Sequence, residues 1–299
     1  MMLLVAFGVL TARAARSDEP VRVILATATP GGGFPAFGAA FAEAIRQADP
    51  ALTIETRASA GSVQNLGLLQ AGSVDLGLVQ GEYAYPAFAV ADGVTVLAPM
   101  YPTPGLFAVP AASPIRSVED LRGRTVVLGT RQSGLTVMAR SALIASGLDP
   151  NRDIHPILLD RAGDGPTLVH EGQADAIWGG GLDWPGFAAM ARGPGGARFF
   201  GPSKAGIARL AQPGAAMKRL TVPAGSFPGQ AEPIETVGSW SFVLARPGFD
   251  GDAADRIVRA LARDSAATTN PKHLVGLVPA DRIHPATVRY LRAAGLLQP

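Results

Sequence analysis

The sequence predicts an α/β protein of two lobes, each a mainly parallel sheet flanked by helices, joined by two crossing strands. First, strand-like and helical runs alternate from residue 21 to residue 80 in the order β-α-β-α-β, which is typical of a parallel sheet. Second, the order of strand, polar turn and helix returns from residue 124 onwards. Third, the strand-like runs 94–110 and 236–245 could carry the chain into a second lobe and back. These runs predict one lobe from residues 20–106 and 240–299 and another from residues 107–239.

The composition fits a globular protein of about two domains and argues against several function classes. Of the 299 residues, 47% are hydrophobic and 17% are charged, so a large core can form. The net charge is +2 and the lysines and arginines are scattered, so we expect no nucleic-acid partner. The chain has no cysteine, and its 4 histidines lack the spacing of metal ligands. We therefore expect neither a metal nor a cofactor.

The first residues have the pattern of a secretory signal peptide. An apolar run from residue 2 to residue 10, too short to span a bilayer, precedes Ala12-Arg13-Ala14, the small-x-small pattern of a cleavage site. We expect residues 1–15 to be removed on export and the mature protein to be periplasmic. No lysine or arginine precedes the apolar run, so an uncleaved N-terminal anchor is the alternative.

A glycine-rich turn, residues 27–34, separates the first predicted strand from the first predicted helix. Gly31, Gly32 and Gly33 let the backbone turn sharply and approach a ligand closely. The helix N-terminus beyond them suits an anion such as a carboxylate or a phosphate. The segment is neither a P-loop nor a dinucleotide fingerprint. A βα turn that binds nothing is the alternative.

Further polar residues are expected on the same rim of the sheet. Ser62 stands where an N-cap belongs, Asn65 follows on the same helix face, and Gln80 ends an apolar strand. Ligands of parallel sheets bind outside the carboxyl ends of the strands, which would bring these residues to the glycine-rich turn. The alternatives are a plain N-cap for Ser62 and a solvent-facing Asn65.

The second lobe offers a comparable polar turn at residues 131–134, ahead of a predicted helix. Arg131 could pair with a carboxylate through two parallel hydrogen bonds, and a solvated surface arginine is the alternative. Trp178 and Trp184 flank three glycines, and one of them could wall a pocket, although core packing is favoured for Trp178. Residues 193–229 are loop-rich, and no helix or strand is predicted there.

No catalytic constellation is visible in the sequence. We find no nucleophile paired with a base and no paired acids, and Gly225-Ser226 is not part of a Gly-x-Ser-x-Gly elbow. We therefore expect a protein that is not an enzyme.

Taken in order, these segments resemble the TAXI family of TRAP-transporter solute-binding proteins. The resemblance runs from about residue 23 to residue 297 and is carried by residues 27–34, 61–66, 75–80, 117–123 and 223–230, and by His284-Pro285. It implies the type II periplasmic binding-protein fold, in which two lobes close on a small carboxylate-bearing solute, an organic acid or an amino acid. It also implies delivery of that solute to the membrane permease of a TRAP transporter.

The resemblance also implies a set of ligand-facing residues. The positions that match are Thr29, Gly31, Gly32, Ser62, Asn65, Gln80, Ser133 and Gly134, and we add Phe34, Arg131 and Thr136 from the same turns. Pro30 replaces a threonine of the family pattern, Phe34 a tyrosine, and Leu135 what is often a threonine. A pocket with fewer hydroxyl groups favours a less polar solute, so glutamate itself is not predicted.

Other function classes stay open at this point. The substrate-binding subunit of an ABC importer has the same two-lobe clamp, and an enzyme or a ligand sensor could reuse the scaffold. In each case we expect a monomer.

Overall fold

The computed structural model describes residues 20–88 and 93–298. The predicted signal segment, residues 1–15, lies outside these ranges, so its cleavage stays a prediction. Among the helices within these ranges, none combines the length and the apolar character needed to cross a bilayer.

The described residues form a ten-stranded sheet with helices packed against it. The strands are β1 Val21–Ala26, β2 Leu52–Arg57, β3 Leu76–Gln80, β4 Thr95–Pro110, β5 Thr125–Thr130, β6 His155–Leu159, β7 Ala176–Gly180, β8 Ala197–Phe200, β9 Lys218–Val222 and β10 Ile234–Ala245. The α-helices are α1 Gly33–Ala48, α2 Ser62–Gln70, α3 Gly81–Ala87, α4 Gly134–Ala145, α5 Gly165–His170, α6 Pro185–Arg192, α7 Lys204–Leu210, α8 Gly251–Leu261 and α9 Pro285–Ala293. Short 3-10 turns occupy Glu119–Leu121, Ala162–Asp164, Pro271–Leu274 and Ala280–Arg282.

The strand order is β2-β1-β3-β10-β4-β7-β5-β6, with β8 paired to β4 and β9 paired to β10. At one end of the sheet β1 runs parallel to β2 and β3, and at the other end β5 runs parallel to β6 and β7. In the middle, β4 and β10 run antiparallel to each other. The predicted α/β fold class is therefore confirmed. We call the half that contains β1–β3 lobe 1 and the half that contains β5–β8 lobe 2.

The strands β4 and β10 connect the two lobes. β4 pairs with β10 from Thr95 to Pro104 and with β7 from Gly105 onwards. Trp240 of β10 is paired with the proline at 102, Phe242 is paired with the proline at 99, and the register shifts between these two pairs. Such a shift interrupts the ladder of hydrogen bonds, so prolines are tolerated in this long strand.

Buried apolar side chains form separate clusters in the two lobes. In lobe 1, Leu25, Ile45 and Ile257 belong to a cluster that packs α1 and α8 on the sheet. In lobe 2, Phe107 and Met138 belong to a cluster between α4 and the sheet. Fully burying a side chain of this size stabilises a fold by about 1.5–3 kcal/mol. Each lobe therefore has its own core.

For the loop-rich segment at residues 193–229, no helix or strand was predicted. The segment contains β8, α7 and β9. β8 adds to β4 and β9 adds to β10, so both short strands are held by long partners from elsewhere in the chain. The helices α3 and α6 were also not predicted, because both are short and contain a proline.

Candidate functional site

A cavity of about 60 Å³ lies between the lobes, at the carboxyl ends of several strands of the sheet. Both lobes wall it. The lining residues are Ala28, Thr29, Gly32, Gly33, Phe34, Ala60, Gly61, Ser62 and Gln80 from lobe 1, and Gly129, Thr130, Ser133, Leu135, Leu159, Ala162, Ile177, Trp178 and Trp184 from lobe 2. Ligands of parallel sheets bind at this position, so the cavity is the candidate site.

Lobe 1 places the first turns of two helices at the cavity. α1 begins at Gly33 after the N-cap Gly32, and α2 begins at Ser62 after the N-cap Gly61. The first amides of a helix have no acceptor within the helix, and they carry the positive end of its dipole. Ser62 is thus the first helical residue and not the predicted N-cap. The Ser62 Oγ accepts a hydrogen bond of 3.1 Å from the backbone amide of Gln80, which fixes the start of α2 against the end of β3.

Lobe 2 contributes the start of α4 and an apolar wall. Ser133 caps α4, and its Oγ accepts from the Leu135 amide at 3.2 Å. Thr136 Oγ1 donates to the Thr130 carbonyl at 2.6 Å and so ties the end of β5 to α4. The apolar side chains Leu159, Ile177 and Trp184 also belong to the lining.

The lobes touch each other directly around the cavity. The Ala162 amide donates to Thr29 Oγ1 at 3.2 Å, and the Gly163 amide donates to the Pro30 carbonyl at 3.3 Å. On the other side, the Val63 amide donates to the Gln132 carbonyl at 3.4 Å. Because these bonds join one lobe to the other, the structure has the lobes closed on the cavity.

Glycines make this close approach possible. Gly31 has φ 81°, and a Cβ there would lie 2.3 Å from the Cα of Gly163 in the other lobe. A Cβ on Gly134 would lie 2.7 Å from Gln80 Oε1. Both distances are shorter than a real Cβ contact, so a side chain at either glycine would push the lobes apart.

Charged side chains are missing from the lining as the described residues define it. Glu82, two residues beyond Gln80, has its Oε1 buried without a hydrogen bond to any described residue, and its Oε2 accepts from Ser239 Oγ at 2.8 Å. Burial raises the pKa of Glu82 to about 7, and its own backbone amide, the Ser239 hydroxyl and the Gln80 amide oppose that rise. Burial therefore favours the protonated form of this carboxyl.

Two buried donors beside the cavity lack a hydrogen bond of ordinary geometry to any described residue. They are Gln80 Nε2 and Trp178 Nε1, on side chains that line the cavity and are 2% and 1% exposed. Of the two, Gln80 Nε2 lies near enough to the Glu82 carboxyl to favour its charged form, so Trp178 Nε1 is the donor with no acceptor among the described residues. An unpaired buried N–H group costs free energy of about 1–3 kcal/mol. Buried polar groups are nearly always paired, so an acceptor supplied by a ligand is one explanation for such donors.

The predicted site residues fall into two groups. Thr29, Gly32, Phe34, Ser62, Gln80 and Ser133 line the cavity. The others do not: Gly31 and Gly134 lie at the contacts between the lobes, Asn65 and Thr136 are buried, and Arg131 is exposed to solvent. Direct contact between any of these residues and a ligand stays a prediction.

The Asn65 side chain is buried, with its Nδ2 bonded to backbone carbonyls and its Oδ1 accepting no hydrogen bond from the described residues. The side chain is 0% exposed, so the alternative of a solvent-facing residue was wrong. Its Nδ2 donates to the carbonyls of Thr27 and Leu78 at 2.7 Å each. Asn65 thus ties α2 to the ends of β1 and β3, behind the turns that form the cavity.

The contribution of the turn after β6, where Ala162 and Gly163 meet lobe 1, was not predicted from the sequence. The position of this turn at the carboxyl end of a strand is the signal that could have found it. Trp178 has both of the roles considered for it. It packs edge-on against Phe107, with ring centroids 4.6 Å apart, and it lines the cavity.

Solved structures share this two-lobe architecture. A protein from Bordetella bronchiseptica RB50 matches with a TM-score of 0.55 over 93% of this chain and 83% of its own, at 15% identity. An ancestral arginine-binding protein bound to glutamine matches with a TM-score of 0.50 over 86% of this chain and 97% of its own, at 16% identity. The substrate binding protein of an amino acid ABC transporter covers 92% of this chain and 95% of its own at 12% identity, with a TM-score of 0.47.

At these identities the likeness concerns the fold alone, which is that of the type II periplasmic binding proteins. The profile of the NMT1-like family matches residues 25–295, and the chain belongs to that family. The TAXI assignment is finer than this and stays a prediction from the motifs.

Proposed function

We propose that this protein is an extracytoplasmic solute-binding receptor, which holds a small anionic solute between its lobes and delivers it to a membrane importer. The observation that carries the proposal is the cavity, because both lobes wall it and touch each other around it. The starts of α1, α2 and α4 at its wall favour negative charge. The predicted signal segment and the fold support a periplasmic location.

The anion in this proposal is held by backbone amides and helix dipoles, without an ion pair. Arg131, the cation considered for that role, is exposed and does not line the cavity. We therefore expect Arg131→Ala to change the affinity for the solute by no more than about twofold, as is usual for an exposed charge. Complete loss of binding in Arg131→Ala would contradict the dipole account and indicate a salt bridge.

The receptor function is tested by a thermal-shift screen of the purified protein against carboxylates, sulfonates and amino acids. A ligand present at about a hundred times its dissociation constant adds about 2.7 kcal/mol to the free energy of unfolding, which gives a measurable rise in the melting temperature. Stabilisation by one class of anion, confirmed by calorimetric titration with one site per chain, is the expected result. A complete absence of stabilisation by all three classes would contradict the proposal.

The partner importer is a separate question. The TAXI motifs favour the permease of a TRAP transporter, which an ion gradient drives, whereas the comparisons name a binding protein of an ABC transporter. The ABC importer is at present the better supported partner, and TRAP remains the prediction of the motifs alone. Solute uptake reconstituted with the cognate permease separates the two, because an ABC importer needs ATP and a TRAP transporter needs an ion gradient.

A further inference from the structure

We propose that the solute is a small monoanion, a single carboxylate or sulfonate on a short apolar body, and that it carries no ammonium group. This inference rests on the proposed receptor function and narrows it. It excludes free amino acids and dicarboxylates, which the sequence left open.

Within the described part of the chain, the cavity lining contains no charged side chain. The ammonium of an amino acid needs an anionic partner when it leaves water, because an unpaired buried charge is strongly disfavoured. Glu82 does not provide that partner, since it does not line the cavity and is bonded to Ser239. The positive ends of α1 and α2 at the wall would also repel an ammonium group.

The lining also limits how many anionic groups the solute can carry. A dicarboxylate would bring two negative charges into a closed cavity that has no lysine or arginine among its described lining residues. Backbone amides at the starts of helices can stabilise one anionic head group at a point where several amides converge. The remaining wall is apolar, formed by side chains such as Phe34, Leu135 and Ile177, and it suits a hydrocarbon body.

The volume of the cavity limits the size of the solute. The cavity encloses about 60 Å³. Since about 10–15 Å³ is needed to hold one water, there is room for only a handful of water-sized groups. A short unbranched acid fits this space, and a carboxylate and a sulfonate share the negative oxygens that N–H donors recognise.

The experiment is a calorimetric titration of the purified protein with ligands that differ by one group. Butyrate and propane-1-sulfonate test the two head groups, 2-aminobutyrate adds an ammonium, succinate adds a second carboxylate, and butyramide removes the charge. We expect one of the first two to bind, and the other three to bind about a hundredfold more weakly or not at all. A preference for butyrate over the sulfonate, or the reverse, identifies the head group.

The site of binding is tested by filling the cavity. Ala60 lines it and Ala71 is exposed at the other end of α2. Ala60→Phe should abolish binding of the acid while the folded protein keeps its far-ultraviolet circular dichroism, and Ala71→Phe should leave binding unchanged. Unchanged binding in Ala60→Phe would overturn the assignment of the acid to this cavity.

The two proposals fail in different ways. Binding of 2-aminobutyrate or succinate as tight as that of butyrate overturns the monoanion inference and leaves the receptor function standing. If every ligand in this set and in the wider screen fails to bind, both proposals are overturned.

Discussion

Glu82 is a buried carboxyl whose ionisation should affect folding. Its pKa of about 7 in the folded protein lies above the ordinary value of 4.5, so the folded state holds this proton more tightly than the unfolded state. The stabilisation is therefore complete below about pH 4.5 and is lost as the pH rises through about 7. The shift corresponds to about 3 kcal/mol of unfolding free energy.

Glu82→Gln tests this linkage, because the amide imitates the protonated carboxyl. Urea denaturation should show the variant close to wild type at about pH 5 and more stable than wild type, by about 3 kcal/mol, at about pH 8. Glu119→Gln is the control, since Glu119 is exposed. Parallel pH profiles for the Glu82→Gln variant and wild type would show that the carboxyl ionises normally.

Asn65 should matter for stability before it matters for binding. Asn65→Ala removes the amide that donates to the buried carbonyls of Thr27 and Leu78, of which Thr27 keeps the Ser59 hydroxyl as a donor, and the expected loss of unfolding free energy is about 1–3 kcal/mol. Gln70→Ala, at the exposed end of the same helix, should cost less than about 0.5 kcal/mol. Lost affinity with unchanged stability in Asn65→Ala would instead make Asn65 a direct ligand contact.

For single residues, the sequence predicts where a side chain lies better than it predicts what the side chain bonds to. Ser62 and Gln80 could be placed at the cavity because a helix start and a strand end are local patterns. The role of Asn65 depends on carbonyls that lie 38 and 13 residues away in the chain, and no local pattern encodes such partners. The exposure of Arg131 is likewise a tertiary property that no local pattern encodes.

At the scale of elements, the turn between β1 and α1 is where one lobe meets the other. Gly31→Ala adds a Cβ that would lie 2.3 Å from backbone of lobe 2, so the closed contact cannot form. We expect solute affinity to fall about tenfold or more while the lobes still fold, with a stability loss of about 1 kcal/mol from the positive φ. Titration calorimetry and thermal unfolding measure the two effects.

Gly72→Ala is the matched control for this substitution. Gly72 also has a positive φ, 64°, but an added Cβ there meets nothing within 4 Å. It should therefore show a similar loss of stability with unchanged affinity. Equal affinity in Gly31→Ala and Gly72→Ala would mean that contact between the lobes at this point does not contribute to binding.

The elements of the first β-α-β-α-β unit were predictable from the sequence, and the strands β8 and β9 were not. The β-α-β-α-β order of the first 80 residues follows from apolar periodicity and turn residues, which are local. The strands β8 and β9 have 4 and 5 residues and depend on pairing with β4 and β10, so tertiary contacts decide them.

The whole molecule should open and close. The lobes have separate cores and are joined by β4 and β10, and the bonds between them at the cavity include single backbone contacts such as that of Val63 with Gln132. A solute that contacts both lobes favours the closed state, because it binds that state more tightly. Small-angle scattering should show a smaller radius of gyration with the solute than without it. Identical profiles with a confirmed ligand would show that the lobes do not move.

A crystal structure of the protein with the acid that stabilises it would show how the anion is held. We expect one anionic head group between the lobes, within hydrogen-bond distance of the amides that begin α1 or α2, with the apolar body against Leu135 or Trp184. An acid bound outside the cavity between the lobes, or a head group paired with Arg131, would contradict this expectation.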